Sequence, residues 1–273
     1  MTPFLCSVHT HSTFCDGKAT PEEMAAAACA AGVKYYGFSG HSHTPIPMDE
    51  GGVMPADMTE YRNTVLRLRE EYAGRMEILL GLEWDSCSDV EPEGFDYWIG
   101  SVHYQKAPDG TYYTTDWDDE KFLTCLNEGC SGDTKALAAR YYAELARVAA
   151  RKPTIIGHFD CILKLNEGNK YFDETSDWYK ALALEALHTV DPQASLLEIN
   201  TGSMFKGYRR TPYPAKFLLE EWRAMGGRII ITADAHTPEG ILAKYQNAIN
   251  LAKSVGFTHT VLLTSQGSVD CPI

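Results

Sequence analysis

Ser7-Val8-His9-Thr10-His11 closes the first apolar run of the chain. Residues 4–8 read as a short buried strand, and side chains along a strand alternate with a period of two. His9 and His11 therefore face one side while Thr10 faces the other. Two imidazoles side by side at a strand tip can clamp one metal ion, as two histidines one turn apart do on a helix. Asp16 follows, just beyond Cys15. A lone His-x-His serves equally well as two hydrogen-bonded polar residues at a strand end. Its meaning depends on where comparable residues fall later in the chain.

They fall repeatedly in the same place. Strand-like runs over 34–39, 77–82, 97–102, 154–157, 196–199 and 228–233 alternate with helical stretches such as that carrying Tyr61, Val65, Leu68 and Tyr72. Alternation from end to end implies βαβ units and a parallel sheet. With no break in composition, the 273 residues read as one barrel domain over 1–273. His9, His11, His41, Glu83, His103, His158, Asp234 and His236 all stand at or just beyond the C-terminal end of a predicted strand. In a parallel barrel those ends converge on one mouth, where the βα loops build the active site. His188 and His259 lie elsewhere, and His43 is ambiguous. The clustering predicts a polynuclear metal site.

Imidazole with carboxylate suits zinc, iron or manganese better than calcium or magnesium, which prefer oxygen. Glu83 has two oxygens and can bridge two ions. Neutral imidazoles leave cationic charge uncompensated, which favours an anionic substrate, with phosphate foremost.

Composition narrows the field. The formal charge of −13 at pH 7 argues against long nucleic acid as the partner. No apolar run approaches the ~20 residues of a membrane span, and Met1-Thr2-Pro3-Phe4-Leu5 lacks the basic start of an export signal. Eight scattered cysteines without a Cys-x-x-Cys read as reduced thiols of a cytoplasmic protein. Thr20-Pro21-Glu22-Glu23 predicts a capped helix start. Further helices are expected over 177–188, 214–225 and 238–254. Residues 44–56 and 104–133 read as loops, the second with a short helix near 120–126. An eighth apolar run occupies 260–263.

His9-Thr10-His11, Asp16, Gly40-His41, Glu83, Gly100-Ser101-Val102-His103, Gly157-His158-Phe159-Asp160 and Ala233-Asp234-Ala235-His236 together resemble the PHP (polymerase and histidinol phosphatase) superfamily. Leu197-Glu198-Ile199-Asn200-Thr201-Gly202 followed by Tyr213-Pro214 is similar to its monofunctional histidinol-phosphate phosphatases. The resemblance implies an α/β fold, a distorted (β/α)7 TIM-like barrel with two to three divalent metals at the C-terminal mouth of the strands. It implies one metal on His9, His11, Glu83 and Asp234, a second on Glu83, His103 and His158, and a third on Asp16, His41 and His236. Glu83, Asp234 and His236 are expected at the reacting centre. Gly40 departs from the pattern, since many relatives carry aspartate there, and His41 is expected to be held less firmly.

The expected function is a metal-dependent phosphomonoesterase acting on L-histidinol phosphate in histidine biosynthesis. A hydroxide bridging two metals would attack phosphorus in line. Arg209 or Arg210, after the sixth strand, is expected to bind phosphate ahead of the neighbouring Lys206, with His43 as a further substrate contact or loop cap. The aromatic and acidic 104–133 segment would suit a cationic amino-imidazole. The alternatives are a PHP phosphoesterase for another small ester or nucleotide, and a PHP binding module without catalysis. Decayed ligands would mark the last, yet all nine positions are filled.

Overall fold

The computed structural model describes residues 5–49, 54–56 and 58–273. Phe4, at the start of the predicted first strand, and residues 50–53 of the predicted first loop lie outside the described residues. Seven strands follow one another in the sheet in chain order. They are β1 (Cys6–Ser7), β2 (Tyr35–Phe38), β3 (Glu77–Asp85), β4 (Tyr97–Ser101), β5 (Ile155–Ile156), β6 (Leu196–Asn200) and β7 (Ile229–Thr232). Every neighbouring pair is parallel, as βα alternation requires.

The sheet closes on itself through the His-x-His segment. Beyond the regular strands, His11 N donates to Ala235 O at 2.9 Å and Ala235 N donates to His9 O at 3.1 Å. The nearly closed barrel thus has its seam between the first and last candidate ligand segments.

Alternation along the strands separates two cores. Leu79, Tyr97, Ile99, Leu196 and Ile230 pack inside the barrel, while Ile78, Leu80, Leu197 and Ile231 face the helices. Tyr97 crosses the interior, its hydroxyl donating to Val8 O at 2.5 Å and Phe38 O at 3.2 Å. A Cβ at Gly37 or Gly81 would come within 2.2 Å of that phenol, so both positions need the missing side chain.

The helix at Pro21–Ala30 starts as expected, with Thr20 and Glu23 exchanging both capping bonds. Three expectations are corrected. Residues 104–114 form a hairpin, Tyr104–Lys106 against Tyr112–Thr114, where a loop is predicted. Its Pro108-Asp109-Gly110 turn has Gly110 at φ +92°, a conformation that glycine adopts without strain. Residues 238–254 are not one helix, since a single turn at Pro238–Gly240 precedes a helix at Tyr245–Val255. The carbonyls of Ile241 and Ala243 accept instead from Ser7 Oγ at 3.0 Å and Thr201 Oγ1 at 2.6 Å. The helix expected from 214 begins at Lys216, because Ala215 N donates to Asp160 Oδ2 at 2.8 Å.

The eighth apolar run is not a barrel strand. His259–Thr264 pairs antiparallel with Gly267–Pro272, and Val261, Leu262, Leu263 and Cys271 join the interior core. Thr260 Oγ1 donates to Ile229 O at 3.3 Å, and Ser265 N donates to the Glu77 carboxylate. Ile229 and Glu77 open β7 and β3, so this hairpin covers the N-terminal end of the barrel. All eight cysteines are free. Among the described residues, no helix is long and apolar enough to cross a membrane.

Candidate metal centre

Glu83 stands at the middle of the opposite end, 1% exposed. On β3 it shares the inward side with Leu79 and Asp85. Its Oε1 lies 2.8 Å from His158 Nε2 and 3.4 Å from His103 Nε2, and accepts from Ser101 Oγ at 2.7 Å. Its Oε2 lies 3.2 Å from His9 Nε2, 3.4 Å from His11 Nε2 and 3.0 Å from His41 Nδ1. One carboxylate therefore faces two imidazole sets, one with each oxygen.

Asp234 enters from beyond β7 with φ at +51°. Its Oδ1 is 3.2 Å from His11 Nε2 and 3.4 Å from His236 Nδ1. A Cβ on Gly202 would approach Asp234 Cβ to 2.9 Å, so glycine there makes room for the carboxylate. Asp16 completes the outer side, with Oδ2 3.1 Å from His236 Nε2 and Oδ1 3.6 Å from His41 Nε2.

All nine residues expected as ligands thus converge, in overlapping groups. These are His11 with Asp16, His41 and His236; His9 with His11 and Asp234; His9 with Glu83 and His158; and His41 with Glu83 and His103. Within each group the ligand atoms lie within 4.8 Å of one another. The overlapping groups also set His9 beside His158, His41 beside His103, and His11 beside Asp16, His41 and His236, contacts additional to the expected partition.

The donor set fits divalent metal. His9 Nε2, His11 Nε2, Asp16 Oδ1 and Glu83 Oε2 are buried without a hydrogen-bond partner, an arrangement that costs free energy unless something is bound. Bonds of about 2.1 Å to a tetrahedral ion put ligand atoms roughly 3.4 Å apart, close to the spacings around Glu83 Oε2. Electrostatics agree. Burial alone would raise the Glu83 carboxyl, but His9, His41 and His103 outweigh it and hold it well below the usual carboxylate range. Burial, reinforced by the charges of His236 and His41, pushes His11 down to about 3. A proton on every imidazole is not tolerated here.

Outer partners fix the rings. His9 Nδ1 lies 2.5 Å from Glu198 Oε1, and His103 Nδ1 lies 3.2 Å from Asp85 Oδ2. Gly40 donates its N–H to Tyr61 Oη at 3.4 Å. A Cβ there would meet Cys15 Sγ and Met54 Sδ at 3.3 Å. His41 faces Glu83 Oε2 with Nδ1, at 3.0 Å, and Asp16 Oδ1 with Nε2, at 3.6 Å.

The PHP domain family matches residues 7–202. The chain belongs to this family. It is 30% identical over 262 residues to the probable histidinol-phosphatase of Deinococcus radiodurans, covering 92% of this chain and 94% of that one. To the histidinol-phosphatase of Bacillus subtilis it is 24% identical over 251 residues, covering 84% and 92%. Among solved structures, a histidinol phosphatase candidate from Listeria monocytogenes matches with a TM-score of 0.73 at 19% identity, over 88% of this chain and 98% of that one. The histidinol phosphate phosphatase of Lactococcus lactis, complexed with zinc, L-histidinol and phosphate, matches with a TM-score of 0.63 at 19% identity, over 96% and 98%.

In this PHP-domain chain the cavity over the ligand cluster is also lined by Lys164, Lys206, Ser203 and Tyr213. The arginines expected on phosphate are elsewhere. Arg209 is buried in a bidentate pair with Glu174, at 3.1 and 2.9 Å. Arg210 is solvent-exposed and 3.5 Å from Glu167. Neither lines this cavity, because acidic residues of the preceding loop hold both. His43 is likewise turned away, 2.6 Å from Asp89. Sequence reasoning missed Glu198, Asp85 and Lys164, and ranked Lys206 behind the arginines. Period-two spacing from Glu83 pointed to Asp85, and a glutamate inside the apolar run of β6 pointed to Glu198.

Proposed function

We propose that this PHP-domain chain is a metal-dependent phosphomonoesterase that hydrolyses L-histidinol phosphate to L-histidinol and phosphate in histidine biosynthesis. The observation that carries the reading is Glu83, whose two oxygens face two imidazole sets beneath a cavity lined by two lysines. The names of the relatives and the zinc, L-histidinol and phosphate of the Lactococcus structure support it.

Two to three divalent ions, zinc, iron or manganese, would be held by His9, His11, Asp16, His41, Glu83, His103, His158, Asp234 and His236. When bound, such ions supply Lewis acidity and an activated water at neutral pH. Glu83 holds the two sets in register. Glu198 keeps a proton on His9 Nδ1 and leaves Nε2 free as a ligand. Lys164 and Lys206 place fixed positive charge where the outer phosphate oxygens sit. Hydrolysis of a phosphate monoester is among the slowest uncatalysed reactions, and preorganised charge is the main source of rate.

Phosphate release across a panel of histidinol phosphate, nucleotides and simple alkyl esters, with manganese or zinc added, tests the reading. Histidinol phosphate should lead in kcat/KM. Comparable rates for unrelated monoesters overturn the substrate assignment, and no release from any ester overturns the activity.

A further inference from the structure

Lys164 and Asp116 face each other across the site, with Nζ 3.7 Å from Oδ2 and side chains 19% and 16% exposed. A well-formed ammonium–carboxylate contact is about 2.7–2.9 Å. The remaining hydrogen-bond partners of Asp116 are neutral: Thr114 Oγ1 at 2.9 Å and the Cys161 thiol at 3.8 Å. Lys164 also lies 5.2 Å from the centre of the Tyr208 ring.

Both members line two adjoining cavities. The inner one is floored by Glu83, His158 and Asp234. The outer one is walled by Asp49, Tyr104 and Trp117, with Trp117 45% exposed at the rim. A loose, mostly buried ion pair bears the desolvation of two charges without the full Coulombic return. A ligand that offers each member a closer partner is therefore favoured.

We propose that the Asp116–Lys164 pair stands in for a zwitterionic ester and selects the substrate. Phosphate draws Lys164 toward the inner cavity, and a protonated amine on the alcohol takes its place beside Asp116, its organic part lying against Tyr104 and Trp117. The ligand class is a phosphate monoester of an amino alcohol. This inference rests on the phosphomonoesterase reading above and assigns Asp116 as its specificity-determining residue.

The test compares histidinol phosphate with imidazolylpropyl phosphate, which lacks only the amine. Wild-type protein should prefer the amino ester by about 100-fold in kcat/KM, as sites built around a charged or hydrogen-bonding group do. Asp116→Asn should reduce that preference to roughly fivefold or less, whereas Lys164→Met should lower kcat/KM for both esters alike and keep the preference. Calorimetry on wild-type protein, which needs no variant to fold, should show L-histidinol binding at least about 30-fold tighter than its deamino analogue. Similar rates on both esters, or an Asp116→Asn protein that keeps the wild-type preference, overturn the inference while the phosphatase reading stands. Release from neither ester overturns both.

Discussion

Glu198 holds two ligand segments at once: Oε1 lies 2.5 Å from His9 Nδ1, and Oε2 accepts from His158 N at 2.6 Å. It is fully buried and also receives Thr232 Oγ1 at 2.6 Å. Removing its charge leaves the shape intact but frees the His9 tautomer. Glu198→Gln should weaken metal affinity roughly 10- to 100-fold. Competition with a chromogenic chelator measures this, and wild-type affinity in the variant would refute the orienting role.

Glu83→Ala removes the one carboxylate shared by both imidazole sets. Activity should fall by at least about a thousandfold, and bound metal by one ion or more per chain. Elemental analysis and phosphate release read the two effects separately. Activity within about tenfold of wild type would rule out a bridging role.

Arg209 ties the loop after β6 to Glu174 in the loop after β5, and those loops carry Lys206 and Lys164. Arg209→Met leaves Glu174, which is 25% exposed, without its partner. The expected loss is about 2 kcal/mol, less than the ~3–5 of a fully buried pair. Thermal unfolding should shift down by several degrees. An unchanged Tm would show that the pair contributes nothing to stability.

Stripping metal with a chelator should lower the Tm by on the order of 10 °C, since a ligand at a thousandfold excess over its Kd adds about 4 kcal/mol to the folded state. Zinc or manganese should restore it. A chelator-treated protein with an unshifted Tm would argue against occupancy of the centre.

Most of the barrel was legible because its ligands interrupt the apolar pattern at one phase of six of the seven βα units. His9, Glu83, His103, His158 and Asp234 each follow a β-rich run, and parallel topology turns that repeated phase into one mouth. What escaped has equally physical causes. Lys164 and Lys206 each cap a helical turn too short for periodicity to say which way a side chain points. Arg209 looked like a phosphate ligand because its carboxylate partner is 35 residues away in sequence. The hairpin at 104–114 was hidden by polar strands only three residues long, although its Asp-Gly turn was in plain view.

The C-terminal hairpin has a bearing on traffic through the molecule. Among the described residues, His259–Thr264 and Gly267–Pro272 stopper one end and Tyr97 crosses the interior, which leaves the C-terminal mouth as the way to the centre. For the hydrolysis proposed here, ester must come in and both products must go out past the same Trp117 rim. In that reading phosphate, held deepest, leaves after the alcohol and should act as a competitive inhibitor of the ester.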